Sequence, residues 1–303
     1  MTTTRDHSIT RSTGRFARTI RETNIVVRRE MLVRSKNRTL LLSSILLAVF
    51  FGAVAGVGGW FLVRSVGGAG SLPLDPNVLF ATAMICALLV SLVYSASTLT
   101  SGVVEEKSSR IVEILLTKIG VGPLLAGKMI GIGLVTLVQL LIIGGAGVIG
   151  FTVVDGWSLI DVELGPSLLW FLLWFLLGYM LFAALNTALA STVSRQEDLS
   201  SAVMPLSVLQ MVLLVLSLYV LPTNQGNAWL EGLSYVPLFS SYLMPMRFAL
   251  GDVSAWEMAA AAGIAAVTIP VLFRLCTVLY RNNALRTGSR VPLHKSLSTD
   301  NAA

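Results

Sequence analysis

The sequence predicts an all-α polytopic membrane protein: six transmembrane helices, an amphipathic interfacial helix before the first, a charged helix between the second and third, and short re-entrant helices before the last. Three observations predict it. Six apolar runs are each long enough to cross a bilayer, which takes about 20 residues. Mean hydropathy is +0.78 with 54% hydrophobic residues, far above the usage of a soluble globular chain. Charged residues make up only 13% of the chain and, Arg274 apart, fall between the runs.

Residues 1–14 read as a polar tail without structure. In 15–38, Phe16, Ile20, Val27 and Met31 fall close to one helical face, and Arg15, Arg18, Arg21, Arg28, Arg29 and Arg34 occupy the rest. That pattern is a basic helix lying on an anionic leaflet. The spans follow at 39–63, 78–102, 129–151, 167–193, 202–221 and 258–280. Gly52 and Gly56 in the first, and Gly127 and Gly131 at the head of the third, have the spacing of close helix packing. The first run begins too far along the chain for a cleavable signal, so it is expected to stay as an anchor. Between the fifth and sixth spans, Pro222, Pro237 and Pro245 interrupt apolar sequence, the pattern of half-helices that dip into the membrane face. Residues 281–303 form a basic, polar tail. Lys and Arg crowd the amino-terminal tail, the second-to-third connector and the last tail, which places both termini and that connector in the cytoplasm.

The informative stretch is 103–119. It holds Glu105, Glu106, Lys107, Arg110, Glu113 and Lys118, with Val104, Ile111 and Leu115 at helical spacing and Glu106 four residues before Arg110, a favourable pairing. It reads either as a solvated connector or as a docking lever for a soluble partner. Downstream, Gly122 to Met129 nearly spells a phosphate-binding loop, but Met129 stands where a hydroxyl would bind magnesium. The segment follows a helix rather than a strand and reads as a turn with tightly packed glycines.

Chemistry is sparse elsewhere. No Asp or Glu lies in the middle of a span, so an ion-coupled secondary transporter finds no support. His7 and His294 are in the tails, and Cys86 and Cys276 sit apart in apolar runs. No catalytic constellation, metal-ligating cluster or disulfide framework is expected. The polar groups at mid-depth are Gln139, Asn186 and Gln210, readable as helix-to-helix glue or as a substrate path. The basic balance, +6 overall, fits topology and lipid headgroups rather than nucleic acid. With no internal energy source, transport is either passive or driven by a partner.

The run from Glu105 to Thr117 followed by Pro123 to Lys128 resembles the signature of ABC type-2 exporter permeases, with the closest likeness to the sodium-exporter-type branch. Ser194 to Asp198 with Met204-Pro205, and Pro237 to Arg247, are similar to the same branch, and the likeness covers most of 100–285. It implies an interfacial helix at 1–38, a six-helix domain at 39–280 with its coupling helix at 103–119, and a cytoplasmic tail at 281–303. It also implies a dimer with a second copy or a paralogue, and a separate cytoplasmic ABC ATPase that binds ATP and magnesium. Glu105, Glu106, Lys107, Arg110 and Glu113 are its implied contacts with that ATPase. The expected function is the permease subunit of an ATP-driven exporter in the cell membrane; the alternative is an ATP-independent channel or a membrane scaffold. The outer connection 64–77 is short where members of that branch often carry a large domain, so a drug, lipid or peptide stands beside sodium as expected cargo.

Overall fold

The computed structural model describes residues 6–36, 38–67, 76–109, 111–159 and 164–283, and its regular elements there are all helices. In order they are α1 (Asp6–Ser35), α2 (Arg38–Gly67), α3 (Pro76–Ser108), α4 (Ile111–Lys118), α5 (Val121–Val153), a single 3-10 turn (Gly156–Leu159), α6 (Leu164–Ser191), α7 (Gln196–Val215), a π turn (Leu216–Val220), α8 (Leu221–Thr223), α9 (Ala228–Ser234), α10 (Pro237–Ala249) and α11 (Ala255–Asn283). Six stretches are long and apolar enough to cross a membrane: within α2, α3, α5, α6 and α11, and along α7 to α8. The fold is that of an all-α polytopic membrane protein.

The bundle forms around α6, which carries no charged residue. A helix apolar on every side is stable only when surrounded. Trp174, Phe175, Tyr179, Leu181 and Phe182 are accordingly buried against α3, α10 and α11. Tyr179 donates from its hydroxyl to the Met129 carbonyl of α5 at 2.7 Å. Its ring lies where a Cβ on Gly133 would come within 2.6 Å.

Helix α5 is the mast to which the first two helices are fixed, and small residues make both joints. A Cβ on Gly127 would meet the Val26 Cβ at 2.6 Å, and one on Gly131 would meet the Glu30 Cβ at 2.9 Å, so α1 lies directly on the α5 backbone. Two turns before its end, α5 meets α2 through Ala146 and Gly150 facing Gly52 and Gly56. The glycine spacing read from the sequence thus marks real helix contacts. The opposite face of α2 is exposed and apolar (Leu42, Leu46, Val49, Val57 and Phe61), as a lipid-facing surface requires.

Three details differ from the sequence reading. α1 begins at Asp6, so the helix takes in residues 6–14; the side chains of Arg15 and Phe16 lie outside the described residues. Its buried positions are Val26 and Glu30, while Ile20 and Met31 are exposed. Pro245 sits inside α10 without ending it. Pro-broken 222–257 forms the short α9 and the longer α10, whose residues Ser240 to Met244 are all buried. At the next helix start, Glu257 caps the turn by reaching back to Ser254: its Oε2 accepts from the Ser254 amide at 2.8 Å and from the Ser254 hydroxyl at 2.6 Å. Residues 284–303, 68–75 and 160–163, the last holding Asp161 and Glu163, lie outside the described residues.

The α1 seat on α5 gives a direct test. Gly127→Leu is expected to destabilise the chain by about 1–3 kcal/mol, the cost of overpacking a tight contact, seen as a lower thermal unfolding midpoint in detergent. Gly144→Ala, where a Cβ meets nothing within 4 Å, is expected not to lower it.

Candidate functional site

The charged stretch does not form one connector helix. α3 continues to Ser108, about six residues past the run of apolar sequence, and α5 starts at Val121, taking in the turn expected at 122–128. Between them only α4 and its short links remain. α3 ends where Ser108 and Ser109 turn their hydroxyls onto the Glu105 carbonyl, at 3.0 and 2.7 Å. Such back-bonding competes with helix continuation. α4 is held by Val112, which is buried, and leaves Thr117 and Lys118 exposed.

The helices extend because their charges are paired. Glu106 Oε2 receives a hydrogen bond from Lys128 Nζ at 2.6 Å, with the two side chains 10% and 3% exposed. Lys128 also donates to the Gly102 carbonyl at 3.2 Å. The other oxygen of Glu106 accepts from Arg29 of α1 at 3.3 Å. Arg29 lies 3.9 Å from Glu30, which pairs in turn with Arg34 at 3.3 Å. Arg34 reaches the Thr98 carbonyl at 3.5 Å. Three cations and two carboxylates thus knit α1, α3 and α5 into one joint. The burial of Glu106, Lys128, Glu30 and Arg34 is offset by opposite charges, and for Lys128 and Arg34 by backbone carbonyls, while Arg29 stays half-exposed.

Neighbouring residues tie the same end of α3 to two more helices. Lys107 is 5% exposed and its Nζ donates to the Ser191 carbonyl, the last of α6, at 2.9 Å. A cation on a helix carboxyl terminus meets the negative end of the dipole. Gln196, the first residue of α7, donates to the Ser101 carbonyl at 3.0 Å. The last two turns of α3 therefore touch α1, α5, α6 and α7.

The sequence-named residues separate accordingly. Glu105 is exposed; Glu106 and Lys107 are buried and face inward. Arg110 and the side chain of Glu113 lie outside the described residues, and with them the expected Glu106 to Arg110 pairing. At mid-depth, Gln139, Asn186 and Gln210 are all buried on separate helices. Asn186 donates to the Phe182 carbonyl of its own helix at 2.9 Å. The reading of single residues missed Lys128, Arg29, Glu30 and Arg34 as parts of this site. From the sequence, Lys128 reads as the lysine of a failed phosphate loop and the end of the family-like run, and Arg29 and Arg34 as the polar face of an interfacial helix.

A bundle of six helices long and apolar enough to cross a membrane, closed at one end by buried ion pairs, is the architecture of a multi-pass membrane protein. Residues 75–277 match the family model described as ABC-2 family transporter protein. The chain is 30% identical to the uncharacterized protein YhaP of Bacillus subtilis over 216 residues, 68% of this chain and 51% of that protein. It is 26% identical to the uncharacterized protein MJ1024 of Methanocaldococcus jannaschii over 191 residues, 62% of this chain and 45% of that protein. It spans about half the length of these curated relatives. The chain belongs to the ABC-2 transporter family.

Lys128→Met leaves Glu106 buried without its main counter-charge and is expected to cost about 3–5 kcal/mol. Adding Glu106→Gln to that variant is expected to return much of the lost thermal stability. Unfolding midpoints of the two variants and the parent check both statements.

Proposed function

We propose that the chain is the permease subunit of an ATP-driven ABC exporter in the cell membrane, coupled to a separate cytoplasmic ATPase that carries ATP and magnesium. One observation supports this above the others. The exposed turn at Glu105 crowns a helix end whose neighbouring side chains are tied to four other helices. A push delivered to that turn has no soft element to dissipate in. The basic residues gathered at the same end support a cytoplasmic position for it.

In this reading Glu105, with Arg110 and Glu113, touches the ATPase. Glu106 and Lys107 stand one step behind as positioning residues that pass its movement to α1, α5 and α6. ATP binding closes the ATPase pair, and the helices follow as rigid bodies. The permease works as a dimer with a second copy or a paralogue. The sodium-exporter-type branch is the nearest kin in this reading, and cargo ranges from sodium to a drug, lipid or peptide.

Glu105→Lys is expected to weaken co-purification of the ATPase several-fold while leaving the thermal midpoint of the isolated chain unchanged, because Glu105 is exposed. Affinity isolation from native membranes, followed by identification of the companions, measures this. Nucleotide-independent flux through the purified chain, with no ATPase recovered, contradicts the reading and favours a channel or scaffold.

A further inference from the structure

Helix α11 presents one exposed stripe along its length. Trp256, Val267, Val271 and Val278 are its exposed apolar residues, and Arg274 and Arg281 are exposed with them. Arg274 stands 18 residues after Trp256 and Arg281 stands 25 after it, close to whole numbers of turns at about 3.6 residues each. The two arginines therefore share a face. Their neighbours supply no counter-charge. α6, α10 and α5 pack most closely against α11. α6 has no charged residue, α10 has only Arg247 and α5 has only Lys128. The acid of α11 itself, Glu257, is in its first turn, at the opposite end. Glu106 of α3 is held by Lys128 and Arg29. Among the described residues, neither Arg274 nor Arg281 has an ion pair.

Helix length sets their depth. The hydrocarbon core of a bilayer is about 30 Å thick, and tryptophan gathers at its boundaries. With Trp256 at one boundary, Arg274 lies about 27 Å along the helix and Arg281 about 37 Å, at 1.5 Å per residue. Arg274 is then just inside the far edge of the hydrocarbon, and Arg281 is in the headgroup layer beyond it. α11 is the sixth crossing and α3 the second, so both end on the same side, that of the Glu106–Lys128 joint. A cation within the hydrocarbon without a protein partner draws a polar group to itself.

The chemistry of the pair selects that group. A guanidinium fork matches the oxygens of a phosphate. A zwitterionic lipid also brings an ammonium, for which no carboxylate of α11 or its close neighbours stands at this end; an anionic lipid does not. We propose that Arg274 and Arg281 form a site for the phosphate of an anionic phospholipid in the leaflet at this end, its acyl chain running along Val271 and Val267. Beyond them the path is open at Gly263, where a Cβ meets nothing within 4 Å. A lipid so held neutralises Arg274 and fixes the depth of α11. The site depends on the membrane spans and on no ATPase.

Native mass spectrometry of the full chain in detergent, titrated with dioleoylphosphatidylglycerol or dioleoylphosphatidylcholine, tests this. The parent is expected to hold its tightest phosphatidylglycerol several-fold more strongly than phosphatidylcholine. Arg274→Gln and Arg281→Gln are each expected to weaken that binding about fivefold, the effect of one basic side chain at an anionic surface. Arg274→Lys keeps the charge and weakens it less. Arg64→Gln is the control: Arg64 lies over the Trp60 ring at the other end of the bundle, and its loss leaves the tightest site unchanged. All these substitutions alter exposed side chains, and matching unfolding midpoints confirm that the variants fold. Equal affinity for the two lipids overturns the proposal, as does an Arg274→Gln/Arg281→Gln chain that binds phosphatidylglycerol as tightly as the parent. Displacement of the lipid by an equal concentration of inorganic phosphate also overturns it, and assigns the pair to a free anion. So does a parent dimer that the double variant dissociates with lipid binding unaltered, which assigns the face to a second copy.

Discussion

The contact between Glu106 and Lys128 governs the architecture of the charged end. Either residue alone would end a membrane helix, because an unpaired charge cannot be taken from water at tolerable cost. Together, 2.6 Å apart, they let α3 and α5 run on past their apolar cores and meet. Arg29 then joins the pair from α1. The helix at the start of the chain is thereby connected to the two longest helices by charge as well as by shape.

Shape matters equally, because ions this close require backbones that are close. Gly127 flanks Lys128 in sequence and supplies the flat surface on which Val26 sits; Gly131, one turn on, does the same for Glu30. The same five-residue window thus holds the charge and the space that brings its partners near. In a membrane interior, where apolar surface gains little by leaving lipid for protein, such close approach and buried polar contacts are what drive helices together. Away from this end, α2 is held by one glycine joint, and α6 by burial on all sides.

Much of this was legible in the sequence. The six spans follow from run length, the tight joints from glycine spacing, and the importance of 103–119 from its concentration of charge in a chain with little. What was not legible is direction. A linear reading treats Glu106 and Lys107 as a polar break and assigns them outward, because it sees charge but not the partner 22 residues away. The π turn and the continuation of α10 through Pro245 were hidden for a related reason: tertiary burial outweighs the local preference of those residues. The Ser254–Glu257 cap is the opposite case, a local signal present in the sequence and passed over beside the stronger Pro punctuation.

The account stands on α1, the end of α3 and the start of α5 moving as one body. Hydrogen exchange on the purified chain measures that most directly, since elements joined in one cooperative unit open together. The account predicts a shared opening free energy for amides of residues 22–34, 101–108 and 121–131, lost from all three together when the central ion pair is broken. Exchange of α1 on its own, with the ends of α3 and α5 still protected, contradicts it.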